Sequence, residues 1–144
     1  MNKKQVIAKE ISQTLPTFLR HMFPYVFQPI KLPPSQVIAL VSIQERRDCT
    51  LTELRKEMHV SAPTITGIVD RLERDGYINR LPDDKDRRVV HVVLTPKGVE
   101  VVQQFRKNIK DRWDYILSKM PVETGATVLQ IMRKLTQGFS DGLL

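Results

Sequence analysis

Apolar positions along the chain recur every three or four residues in several long stretches, alternate in two short ones, and are separated by breaks rich in Pro, Gly, Asp and Ser. From Asn2 to Phe23, Ile7, Ile11, Leu15, Phe18, Leu19 and Met22 form one helical face. Pro16 lies inside it, removing a backbone donor and crowding the carbonyl four residues back, which predicts a kink or two shorter helices. Pro24, Pro29, Pro33 and Pro34 predict a loop, and Pro33-Pro34-Ser35 starts a second helix. Val37, Ile38, Leu40, Val41 and Ile43 make that helix apolar around much of its surface, so it is expected at the centre of the fold, ending at Arg46-Arg47-Asp48. Thr50-Leu51-Thr52-Glu53 is a capping box for a short third helix running to about Met58. After a turn at His59-Val60, Ser61 caps a fourth helix with Ala62 and Pro63 in its first turn. Ile65, Ile68, Val69 and Leu72 give it the clearest period in the chain, and Asp75-Gly76 stops it. Tyr77 to Leu81 and Val89 to Leu94 read as a two-stranded hairpin with the polar tip Pro82-Asp83-Asp84-Lys85-Asp86-Arg87. Thr95-Pro96 opens a long helix with a seam of Val102, Phe105, Ile109, Trp113, Ile116 and Met120, closed by Pro121. A last helix, from about Glu123 to Phe139, carries Val128, Ile131, Met132, Leu135 and Phe139.

Composition narrows the setting. With 144 residues and 41% hydrophobic content the chain can bury an ordinary core. Cys49 is the single cysteine, which excludes a disulfide framework, and apolar runs such as Val92-Val93-Leu94 fall far short of the roughly 20 residues that span a bilayer. Lys9 and Glu10 interrupt the apolar stretch that a secretory leader would place after Lys3 and Lys4. A soluble cytoplasmic protein without a membrane partner is expected.

The net charge of +7 makes an anionic partner plausible, but its placement matters more than its size. Residues 1–32 hold five basic residues and one acidic, residues 33–93 hold ten of each, and residues 94–144 hold eight basic and five acidic. If the neutral middle third binds nucleic acid, it must use a few placed cations and not a basic block.

Helix, turn, helix and then a hairpin with a polar tip is the order of a winged helix-turn-helix. At about 100° per residue, a fourth helix with Ile65, Ile68, Val69 and Leu72 inward turns Pro63, Thr64, Thr66, Gly67, Asp70, Arg71 and Arg74 outward. That face suits a DNA major groove: Thr64 and Thr66 offer short hydroxyls and methyls, Gly67 permits close approach, and Arg71 and Arg74 are placed for phosphates. Asp70 would be repelled by DNA, so a nearby arginine is expected to hold it. The plainer alternative, a solvated face on a core helix, is outweighed by the capped helices, turn and hairpin standing in order within about 45 residues.

Asp86, Arg88, Leu94 and Thr95 stand in the pattern D-x-R-x-x-x-x-x-L-T, which resembles the wing signature of the MarR family of bacterial transcription regulators. Asp83 to Gly98 is similar to that family throughout, as is Ser61 to Ile78 with Thr66, Asp70-Arg71-Leu72 and Asp75-Gly76-Tyr77-Ile78. The resemblance implies a mainly α fold with a small β-hairpin wing: a winged helix-turn-helix domain over 33–94, flanked by dimerisation helices over 1–32 and 95–144. It implies a homodimer binding a near-palindromic operator in double-stranded DNA, as a ligand-responsive repressor. Expected DNA-binding residues are Ser61, Thr64, Thr66, Gly67, Arg71 and Arg74 on the helix and Lys85, Asp86, Arg87 and Arg88 on the wing. An arginine at the tip suits the negative potential of a narrow minor groove, with Asp86 bracing it. The alternatives are a MarR-like activator and a winged helix used for protein interaction, in which Asp70, Asp83, Asp84 and Asp86 would face a basic partner.

Other chemistry is thinly represented. His21, His59 and His91 are scattered, so no metal site and no cofactor are expected, and Cys49 reads as a small buried residue. No enzymatic motif is present. Met22, Phe23, Tyr25, Phe27 and Trp113 could line a pocket for a small aromatic effector between the dimer helices and the winged domain, although aromatics at helix ends more often belong to a core.

Overall fold

A computed structural model describes all residues, 1–144, as two compact units, 1–108 and 109–144. The first unit begins with α1 (Lys3–Phe27), whose N-terminus is closed by a capping box between Asn2 and Gln5. Pro16 and Pro24 both lie inside it, and the helix does not split into two. None of its residues is buried, so water can solvate the carbonyls that the prolines leave without donors. The expected loop at Pro24 is therefore one turn too early. The Asn108 side-chain amide donates to the Val26 and Gln28 carbonyls at 2.9 and 2.8 Å and satisfies the end of the extended helix.

The middle of the chain forms α2 (Pro34–Glu45), β1 (Cys49–Thr50), α3 (Leu51–Glu57), α4 (Ala62–Arg74), β2 (Ile78–Pro82) and β3 (Val90–Leu94). α2 is central as expected, with Val37, Ala39, Leu40 and Ile43 buried, although Ile38 points out at 40% exposure. Thr50 and Glu53 make the capping box of α3, and Ser61 caps α4. Between these helices His59 adopts φ 53°, the left-handed conformation that a tight turn requires.

The strands form an antiparallel sheet in the order β1-β3-β2. β1 escapes a periodicity argument because two residues are too few to alternate. It places Cys49 opposite Val92 and Thr50 opposite His91. One buried cluster unites Leu40 and Ile43 of α2, Leu54 of α3, Ile65, Val69 and Leu72 of α4, and Ile78 and Val92 of the sheet.

α5 (Pro96–Leu117) starts against the turn that ends α4. Thr95 donates to the Gly76 carbonyl at 2.6 Å and accepts from the Gly98 amide, while Lys97 donates to the Asp75 carbonyl and lies over the Tyr77 ring. A Cβ on Gly98 would stand 2.2 Å from the Tyr77 carbonyl oxygen, so only glycine allows this approach.

The unit 109–144 contains the end of α5 and α6 (Val122–Ser140). Pro121 is the N-cap of α6, whereas α5 has already ended at Leu117, four residues before the position its proline predicts. Trp113, Leu117, Val122 and Met132 help line an apolar cavity of about 610 Å³ within this unit. No helix of the protein is long and apolar enough to cross a membrane.

Candidate nucleic-acid interface

α4 buries one face and offers the other. Ile65, Ile68, Val69 and Leu72 are buried, whereas Ser61, Pro63, Thr64, Thr66, Asp70, Arg71 and Arg74 are exposed and Gly67 is half-buried. Ser61 accepts from the Thr64 amide, and the two hydroxyls lie 2.8 Å apart. The Thr66 hydroxyl donates to the Ala62 carbonyl at 2.9 Å, which leaves its lone pairs to accept. A Cβ on Gly67 would meet no protein atom within 4 Å, so internal packing does not demand this glycine.

The charges on this face are sorted by their partners. Arg80 of β2 reaches back to α4, pairing with Asp70 through one guanidinium nitrogen and with Glu73 at 2.8 Å through another. Its backbone amide also donates to Glu73 at 3.0 Å. Asp70 therefore has its arginine. Arg74 is engaged by its neighbour Asp75 at 3.1 and 3.4 Å, while Arg71 makes no side-chain ion pair. The sequence signals only that Asp70, a carboxylate on the outward face, needs a cation; Arg74 stands four residues on in the same helix, and nothing local singles out Arg80.

In the wing, the Asp83 carboxylate accepts from the Lys85 and Asp86 amides at 2.8 and 3.0 Å and builds the turn. Asp86 accepts from the Arg88 amide, Nε and Nη2 at 3.0, 3.2 and 3.2 Å, so it braces this arginine while leaving its side chain 92% exposed. Lys85 and Arg87 are exposed beside it. The Arg88 contact holds the Asp86 carboxyl below its usual pKa. Asp83 falls further, to about 2, through its contact with His91 and the two turn amides.

His91 is the member that sequence spacing does not reveal. Its Nε2 is 2.8 Å from Asp83 and its Nδ1 is 2.6 Å from Asp48, two carboxylates far apart in the chain. Cys49, one residue after Asp48, is buried within the core, and burial pushes its thiol up to about 11. No group of three or more His, Cys, Asp or Glu residues is arranged to hold a metal ion.

The aromatic candidates divide between the two units. Phe23 and Phe27 of α1 stand 4.6 Å apart, and Phe27 continues to Phe105 at 5.2 Å. Met22 and Tyr25 lie on the same end of α1, whereas Trp113 lines the cavity within 109–144.

Comparison with known proteins agrees with this arrangement. The MarR family model matches residues 32–90. The chain is 34% identical over 92 residues to the HTH-type transcriptional regulator BilQ of Clostridioides difficile; the match covers 64% of this chain and 62% of BilQ, so it spans under two thirds of that relative's length. It is 30% identical over 108 residues to the multiple antibiotic resistance protein MarR of Salmonella typhimurium, covering 74% of this chain and 75% of that protein. The crystal structure of Streptococcus pneumoniae FabT in complex with DNA superposes with a TM-score of 0.76 at 26% identity, covering 96% of this chain and 99% of that one. With the capped α3-α4 pair and an arginine-bearing wing in the same order, the chain belongs to the MarR family.

Proposed function

We propose that the protein is a homodimeric, sequence-specific DNA-binding transcription regulator, acting as a repressor that responds to a small ligand. The observation that carries the reading is the state of charge on the α4 and wing surfaces: the acidic residues of the α4 face are neutralised from behind by Arg80, while Arg71, Lys85, Arg87 and the braced Arg88 stand outward. A neutral middle third thus presents cations on the side where its helix carries Thr64, Thr66 and Gly67. The DNA complex of FabT supports the same use of the fold.

Dimerisation follows from unspent apolar surface. α1 has 25 residues and buries none, with Ile7, Ile11, Leu15, Leu19 and Phe23 between 46% and 57% exposed. α6 likewise buries none and exposes Leu129, Ile131, Met132, Leu135 and Phe139. Helices of this kind obtain their stability from packing, so a second copy is the natural cover. Two reading heads related by a two-fold axis would then address half-sites about one DNA turn, roughly 34 Å, apart. An aromatic effector acting at Met22, Phe23, Tyr25, Phe27 or Trp113 would shift this spacing by repacking the terminal helices.

Mobility shift of Arg88→Ala, with circular dichroism as the control for folding, tests the wing contact. Weakened binding by a folded variant is expected. Unchanged affinity would remove the wing from the interface, and binding to a basic protein without salt-dependent binding to duplex DNA would favour an interaction module.

A further inference from the structure

His91 occupies a position in which only one of its charge states satisfies its surroundings. The side chain is 18% exposed, and both ring nitrogens face carboxylate oxygens, Nε2 toward Asp83 at 2.8 Å and Nδ1 toward Asp48 at 2.6 Å. An imidazolium has two N–H donors and no acceptor: Nε2 donates to Asp83, and Nδ1, buried with no hydrogen-bond partner, is paired by charge with Asp48 at 2.6 Å. A neutral ring has one donor and one lone pair, and whichever tautomer it adopts, the lone pair is aimed at an anion.

The two carboxylates belong to different parts of the reading head. Asp48 lies in the connection between α2 and β1, and is 80% exposed. Asp83 opens the wing loop, just beyond the Pro82–Val90 pair, where it holds the Lys85 and Asp86 amides; Asp86 in turn holds Arg88. A line of contacts therefore runs from Asp48 in the α2–β1 connection through His91, Asp83 and Asp86 to Arg88 in the wing. Asp83 has amide partners to fall back on, whereas the exposed Asp48 gains least by staying near a neutral ring, so loss of the ring proton releases the wing at the Asp48 end.

We propose that His91 is a proton-gated positioning residue for the wing: as an imidazolium it ties the wing loop to the α2–β1 connection and presents Arg88, and on deprotonation the tie is released and DNA binding weakens. The proposal rests on the DNA-binding reading above and assigns that surface a form of regulation. The charged groups facing the ring are Asp83 from the wing, Asp48 from the α2–β1 connection and Glu53 from α3, all acidic; the cross-strand neighbours Leu81 and Thr50 carry no charge. All three favour the protonated ring, and the contact with Asp83, followed by the charge of Asp48, raises the His91 pKa above its ordinary value while burial opposes the rise. The tie is thus complete below the ordinary histidine pKa of about 6.5 and is lost as pH rises through the higher folded value. Asp83, lowered to about 2, stays charged throughout this range.

The test compares the full-length wild type with His91→Gln and Asp48→Asn. Imidazole resonances of the free protein are titrated by nuclear magnetic resonance, with the His91 signal assigned by its disappearance in His91→Gln. Binding to a labelled random-sequence duplex of about 30 base pairs, long enough for two half-sites one turn apart, is followed by fluorescence anisotropy at constant ionic strength. Between about pH 6 and pH 8.5, wild-type affinity should fall about tenfold more than that of His91→Gln, because only the wild type loses the ring proton that ties the wing. In Asp48→Asn the amide can donate to a neutral ring, so the His91 titration and the break in the binding profile should both move to lower pH. Should His91→Gln fail to fold, Asp48→Asn carries the same comparison. A His91 titration at or below the ordinary value, or parallel binding profiles for wild type and variants, overturns the proposal. Absence of duplex binding by every form at every pH overturns the DNA-binding reading as well, whereas binding with parallel profiles overturns the proton gate alone.

Discussion

Arg80 on β2 pairs with Asp70 on the outward face of α4, and through the same guanidinium with Glu73 one turn further along. The contact fastens the wing strand to the helix beside it and cancels negative charge on the face proposed to meet a phosphate backbone. Replacing Arg80 with Met should leave Asp70 uncovered and weaken DNA binding by on the order of tenfold, the size of a like-charge contact worth about 1.4 kcal/mol. Adding Asp70→Asn should recover much of the loss, because it removes the repulsion that Arg80→Met exposes. Additive losses in the double variant, measured by fluorescence anisotropy, would show that the pair does not act through charge.

Gly67 separates stability from binding. Its Cβ position is open, so Gly67→Ala should stabilise α4 by about 1 kcal/mol, the ordinary gain of alanine over glycine inside a helix. The added methyl stands on the face proposed to enter the groove, so DNA affinity should fall. Thermal melting and mobility shift read the two effects, and a variant that gains stability and binds as before would place Gly67 away from the DNA.

Gly98 answers to packing instead. A methyl 2.2 Å from the Tyr77 carbonyl forces α5 away from the end of α4, and Gly98→Ala should lower stability by about 1–3 kcal/mol, the range for overpacked sites. Chemical denaturation checks this; an unchanged midpoint would mean that the helix start yields without cost.

The exposed α1 face predicts an oligomer. Leu15→Glu combined with Leu19→Glu places two carboxylates on surface proposed to meet a second chain, and should convert the dimer into a species near the chain mass of 16.7 kDa. Sedimentation velocity distinguishes the two, and a dimer that survives both charges would assign its contacts elsewhere.

Cys49 should be silent as a sensor. With a pKa near 11 the buried thiol stays protonated at neutral pH, and a thiolate-seeking reagent should label it only after unfolding. Rapid labelling of the folded protein would contradict its place in the core.

How much of this was legible in the sequence depends on whether a feature is local. The caps at Thr50 and Ser61, the buried stripe of α4, the stop at Gly76 and the wing motif at Asp86 and Arg88 each involve residues a few positions apart, and all take the expected form. The end of α1 is not legible locally, because Asn108, 80 residues away from Gln28, supplies the closing donors. Pro121 reads as a stop for the helix before it, although a proline serves equally well just ahead of the helix that follows, which is its place here. The contacts made by Arg80 and His91 cross between elements, so periodicity could show that Asp70 needed a partner but not which arginine would arrive. His91 in particular looked isolated because Asp48 and Asp83 flank it only once β1 and the wing pair through β3.

The central claim, that two copies of this reading head recognise DNA by sequence, is tested most directly by incubating the purified protein with a random library of duplexes and sequencing what it retains. The account predicts enrichment of a near-palindromic motif with half-sites about one turn apart. Retained DNA without an enriched motif, or with a single half-site and no symmetry, would contradict it.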